Sequence, residues 1–135
     1  MLHRILTSIL TAADGSATVY LGSTIRGYLH AIIYRPGNLD TGADLTITAE
    51  QNPQTIPPGG LPAGTPILTK VNLGTGNSFL YPRALPTNAN SATGPLGTIP
   101  SERIALVNER IKVVVAQGGN ALTGSIEAII ETGDD

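Results

Sequence analysis

Two stretches near the C-terminus decide the fold: Arg110-Ile111-Lys112-Val113-Val114-Val115-Ala116 and Leu122-Thr123-Gly124-Ser125-Ile126-Glu127-Ala128-Ile129-Ile130-Glu131. In the first, Ile111, Val113 and Val115 alternate with Arg110, Lys112 and Ala116. In the second, Leu122, Gly124, Ile126, Ala128 and Ile130 alternate with Thr123, Ser125, Glu127 and Glu131. A period of two puts successive side chains on opposite faces, so each run reads as a strand with one dry face and one wet face. Gly118-Gly119-Asn120 lies between them and predicts a hairpin. Residues 101–117 also carry apolar side chains at helical spacing (Ile104, Val107, Ile111, Val114). The β-branched Val113-Val114-Val115 and a turn expected at Asn108-Glu109 decide for strand.

The same alternation recurs upstream. Leu45, Ile47 and Ala49 alternate with Asp44, Thr46, Thr48 and Glu50. Ala17 to Leu21 and Ile25 to Tyr34 read as two strands separated by Gly22-Ser23-Thr24. In the second of them, Ile25, Gly27, Leu29, Ala31 and Ile33 are expected on one face, with Arg26, Tyr28, His30, Ile32 and Tyr34 on the other. Shorter strands are expected at Ile67 to Val71 and Ser78 to Tyr81. The start of the chain, Met1-Leu2-His3-Arg4 and Ile5 to Ala13, has the outline of a signal peptide. Thr7, Ser8 and Thr11 interrupt its apolar run, so a first strand is the better reading. The sum is about eight strands in one all-β domain over residues 1–135, an antiparallel, jelly-roll-like β-sandwich.

Two segments break the rhythm. Residues 51–66 carry Pro53, Pro57, Pro58, Pro62 and Pro66 with Gly59, Gly60 and Gly64, and 82–100 carry Pro86 and Pro95 around Asn88-Ala89-Asn90-Ser91-Ala92-Thr93-Gly94. Proline removes a ladder donor, so these read as long Pro/Gly-rich loops that reach neighbouring molecules.

Composition narrows the function. Charged residues make up 13% of the chain and hydrophobic residues 41%, against about 25% charged in an ordinary domain. Part of the surface is therefore expected to be buried against another chain. There is no cysteine, so disulfides and thiolate metal sites are excluded. A formal net charge of −2, dispersed basic residues, one Phe and no Trp argue against a nucleic-acid partner. No apolar run approaches the ~20 residues of a membrane helix.

A catalytic constellation is not legible. His3 and His30 are the only histidines, there is no Gly-x-Ser-x-Gly elbow, and Gly74-x-Gly76 lacks the third glycine of a phosphate cradle. Glu127 and Glu131 lie roughly 13–14 Å apart along one strand face, too far to serve one substrate as acid and base. Glu102-Arg103 and Glu109-Arg110 read as exposed or inter-subunit ion pairs. We expect no enzyme activity, no cofactor and no metal. A small hydrolase built on His30 is the weakest rival reading. A carbohydrate-binding sandwich is another, and would need Tyr20, Tyr28, Tyr34 and Tyr81 to cluster.

Several segments resemble the small structural proteins of tailed bacteriophages, of the capsid decoration or cement class. These are Ile25-Arg26-Gly27-Tyr28-Leu29 leading to Tyr34-Arg35-Pro36-Gly37, Thr41-Gly42-Ala43-Asp44-Leu45-Thr46-Ile47-Thr48, and Tyr81-Pro82-Arg83 opening its long loop. Ile99-Pro100 followed by Asn108 to Gly119 completes the set, so the likeness spans about Ser16 to Ile130. It implies a virion protein made in the bacterial host cytoplasm that sits on the capsid surface and binds the major capsid protein. Self-association as a homotrimer, or else a dimer, is part of that expectation, as is a tail, baseplate or head–tail junction location as the nearest alternative. Tyr81, Arg83, Arg103 and Arg110 are the expected contact residues.

Overall fold

A computed structural model describes residues 1–51, 64–83 and 102–132. The expected loops at 51–66 and 82–100 lie almost wholly outside the described residues. Among those described, the chain is all-β: β1 (Leu2–Leu10), β2 (Ala17–Arg35), β3 (Asp44–Gln51), β4 (Thr65–Lys70), β5 (Ser78–Leu80), β6 (Ile104–Ala116) and β7 (Thr123–Glu131). Every ladder is antiparallel, in the order β1-β7-β2-β6-β3-β4, with β5 also on β2.

β2 is the hinge of this arrangement. Its first half, Ala17 to Leu29, pairs with β6, and its second half, Tyr28 to Arg35, pairs with β7 on one side and β5 on the other. Two parts of one sheet thus share a strand: β1-β7-β2-β5 and β2-β6-β3-β4. Their inner sides meet in one apolar cluster that joins Ile9, Ile126 and Ile130 with Leu21, Leu45, Ile47, Leu106, Ile111 and Val113.

Three sequence expectations are corrected here. Gly22-Ser23-Thr24 does not separate two strands, since one strand runs from Ala17 to Arg35. Residues on both sides of it pair with the same partner, β6, so the chain never reverses and the extra residues form a bulge. The predicted hairpin is also absent, because β2 lies between β6 and β7. The connection is a six-residue arch, 117–122, in which Gln117 and Ala121 adopt φ of 58° and 53°. It carries the chain from one part of the sheet to the other, where a two-residue turn would have forced the strands together.

The third correction concerns the faces of β2. Against β7, Leu29 opposes Ile130 and Ala31 opposes Ile129, leaving His30 unopposed. One extra residue inverts the alternation beyond it. Ile32 and Tyr34 therefore enter the core at 0% exposure, and Ile33 turns outward. The Tyr34 hydroxyl is buried with no partner among the described residues, and burial pushes its pKa up.

Thr11 fastens the arch to the β1–β2 connection. It is buried, its Oγ1 donates to Gly119 O at 2.6 Å, and it accepts from Leu122 N at 2.9 Å. Thr11→Val keeps the shape but removes both bonds. Urea unfolding is expected to show a loss of about 1–2 kcal/mol; an unchanged midpoint would mean the hydroxyl is not holding the arch.

Candidate interaction faces

The outer side of β1-β7-β2-β5 is built from direct cross-strand pairs, which always share a face. One row across it is Leu6–Glu127–Ile33–Phe79, and on either side run Arg4–Ile129–Ala31 and Ser8–Ser125–Arg35. Leu2 and Leu10 extend it at the two ends of β1. Leu2, Leu6, Leu10 and Phe79 are 58–64% exposed. Large apolar side chains on one side of a sheet make that side a candidate contact surface.

Glu127 sits in the middle of this face and is 1% exposed. Arg4 covers it with Nε to Oε2 at 2.7 Å and Nη2 to Oε1 at 2.9 Å, and Arg35 Nη1 donates to Oε1 at 3.0 Å. One carboxylate thereby ties β1, β7 and β2 together. The hydrogen bond from Arg4 holds its carboxyl below the usual carboxylate range; burial opposes this, and Arg35 adds to the lowering. The sequence marks Glu127 only as a wet-face residue. Its cover comes from strands distant in sequence.

The outer side of β2-β6-β3-β4 has a different character. Arg110 lies over the Tyr20 ring at 4.0 Å, and Lys112 is the ladder partner of Tyr20. Arg103 lies over the Tyr28 ring at 4.6 Å and is ion-paired with Glu131. Such guanidinium–ring stacks hold the cation in place at the surface. The Arg110 Nε is buried without a partner among the described residues.

The four expected contact residues are only partly brought together. Arg83 and Arg103 line a common cleft of about 270 Å³ with Pro66, Ile67 and Ile104. Arg83 Nη1 is engaged by His30 O at 3.1 Å and Pro82 O at 2.7 Å, so part of its guanidinium secures the chain leaving β5. Tyr81 is exposed and meets the His30 ring edge-on, with centroids 6.2 Å apart. Arg110 stands seven residues from Arg103, roughly 20 Å along β6.

Of the residues expected in exposed or inter-subunit ion pairs, Arg103 and Glu109 have partners within the chain. Arg103 binds Glu131, while Glu109 is fully buried and accepts the backbone N–H of Val107 at a bulge in β6. The cause is again a shift of register, here Ile25 opposite Glu109 but Arg26 opposite Val107.

Where the arch meets the 11–16 and 36–43 connections, an open cleft of about 590 Å³ is lined by Asp14, Asp40, Thr41, Gln117 and Asn120. It contains no aromatic ring, and the four tyrosines do not gather elsewhere. Tyr34 is in the core, Tyr20 and Tyr28 lie under arginines, and Tyr81 stands with His30. Among the described residues, no group of three or more His, Asp or Glu is placed to hold a metal ion, and no helix is long and apolar enough to cross a membrane.

The apolar face was missed because β1 is apolar on both parities. Ile5 and Ile9 account for a core side, and Leu2, Leu6 and Leu10 on the other side are the signal of a second apolar side. No protein-family model, curated protein or solved structure matches the chain.

Proposed function

We propose that this chain is a non-enzymatic structural protein of a phage virion, one that binds the major capsid protein and stabilises the shell from its outer surface. The observation that carries the reading is the sheet face around Leu6 and Phe79, whose large apolar side chains no described residue covers. It supplies a surface of the kind that the low charge of the sequence leads one to expect. A protein of this kind works through contact area, and a sheet offers a rigid area that loses little entropy on docking. The resemblance to decoration proteins supports the capsid location, and the arginines seated on Tyr20 and Tyr28 add polar anchors suited to a protein partner.

The test is to purify particles from the source that encodes the chain, separate them by sedimentation and probe them with an antibody raised against it. The chain is expected to travel with intact heads, in constant ratio to the major capsid protein, and to label the shell in electron micrographs. Particles free of it would overturn the virion reading. Label confined to tails would overturn the capsid location.

A further inference from the structure

We propose that the free edge of β1 pairs with the β1 edge of a second copy, antiparallel and centred on Leu6, so that two sheets join edge to edge. This pairing uses backbone groups at the end of the sheet. It leaves open the apolar face proposed for the capsid partner.

Among the described residues β1 is bonded on one side alone, to β7, in nine consecutive pairs without a bulge. Odd positions make the bonds at both ends of that ladder. Met1 N donates to Thr132 O at 3.0 Å, Thr132 N donates to Met1 O at 2.9 Å, and Thr11 N donates to Leu122 O at 3.0 Å. Antiparallel bonding alternates along a strand, so Leu2, Arg4, Leu6, Ser8 and Leu10 direct their N–H and C=O groups away from β7. All five residues are exposed.

This edge lacks the devices that keep end strands from pairing. β1 holds no proline, glycine, lysine or acid. β4, at the other end of the strand order, carries Pro66, Lys70 and a register irregularity against β3, and β5 is three residues long. Proline, lysine, bulges and short length are the common protections of a sheet edge. A regular nine-residue strand without them suits a partner strand.

Self-complementarity selects the second copy. The outward residues read Leu2, Arg4, Leu6, Ser8, Leu10, a pattern symmetric about Leu6. With a two-fold axis at Leu6, Leu2 opposes Leu10 of the second copy, Arg4 opposes Ser8, and Leu6 opposes its equivalent. Every outward backbone group is then paired, giving about ten hydrogen bonds, close to the number an ordinary interface carries. Centring on Arg4 or on Ser8 leaves some of these groups unpaired, and centring on Arg4 also sets two like charges opposite each other. The axis is perpendicular to the sheet, so the outer faces of both copies look the same way and become continuous. An isologous contact closes at two copies, which gives a dimer and not a trimer.

The experiment uses the purified full chain. Sedimentation equilibrium over a wide concentration range is expected to give a mass approaching twice 13.9 kDa. Amide hydrogen exchange then locates the contact. The amides of Leu2, Arg4, Leu6, Ser8 and Leu10 are expected to exchange fast in dilute solution and slowly in concentrated solution, while those of His3, Ile5, Thr7 and Ile9 stay protected in both. Ser8→Pro removes an outward donor without breaking a bond to β7; across the two-fold axis it is expected to weaken the dimer at least about tenfold. Phe79→Ser, on the apolar face and away from the edge, is expected to leave the dimer intact. A monomer at every concentration, a trimer, a dimer indifferent to Ser8→Pro, or a dimer whose outward amides still exchange fast would each overturn the proposal. So would protection of those amides only on added capsids, which would give the edge to a strand of the capsid protein.

Discussion

Gly27→Ala is expected to destabilise the chain by about 3–5 kcal/mol, enough to leave much of it unfolded at 37 °C. Gly27 lies in β2 with φ of 133°, a region that residues with a Cβ rarely adopt. An added Cβ would also stand 2.5 Å from Glu131 O and 3.1 Å from the Ile130 side chain. The carbonyl is backbone at the end of β7, so it cannot swing aside as a flexible side chain would. Relief requires moving β2 away from β7 at the point where β2 passes between the two parts of the sheet. Gly74 provides the control: its φ is 77°, and nothing lies within 4 Å of a Cβ built on it. Gly74→Ala carries only the conformational cost of about 1–2 kcal/mol. Urea unfolding of both variants checks the difference. Equal losses would show that the close approach of Gly27 to β7 is not a constraint on the fold.

Glu127→Gln is the second large expected effect, a loss of about 2–3 kcal/mol at neutral pH. The amide cannot accept the paired donation from Arg4 together with the bond from Arg35. Both arginines still reach water, which keeps the loss below that of a wholly buried pair.

The pH dependence follows from the direction of the shift. The folded carboxyl titrates below its ordinary value, so the unfolded chain takes up the proton first as the solution is acidified. The stabilisation is complete above the unfolded value of about 4.3 and disappears as pH falls through the lower folded one. Wild type and variant should therefore differ fully at pH 5 and above and converge as acid protonates the folded form. Unfolding curves collected at descending pH check this. A gap that persists in strong acid would mean that the ion cluster is not the source of the difference.

The same cluster shows where a reading of sequence stops. Strands β3 and β7, and β6 from Arg110 onward, lie where alternation predicts them, whereas β6 also runs back to Ile104 through the turn expected at Asn108-Glu109; the inner faces carry the expected residues, Leu45, Ile47 and Ala49, then Ile111, Val113 and Val115, then Ile126, Ala128 and Ile130. In each case the signal is local. Alternating sterics repeat every two residues, and one apolar face must leave water. Arg103 and Arg110 were legible as cations expected in contacts, but the tyrosines beneath them come from β2 and become neighbours only through the β2–β6 ladder.

By itself, then, the sequence determined that the chain is all-β, where most strands run, and which side of β3, β6 and β7 faces the core. Tertiary structure decided which strands are neighbours, since β2 rather than β7 lies beside β6 and a six-residue arch leaves that choice open. It also decided the parity of β2 beyond His30. A bulge is a mismatch between two strands, invisible in either one alone, and it turns Ile33 out and Tyr34 in. Burial of Glu127 needs Arg4 and Arg35 brought from 123 and 92 residues away. Local alternation specifies which face a side chain takes, and only long-range pairing specifies what that face meets.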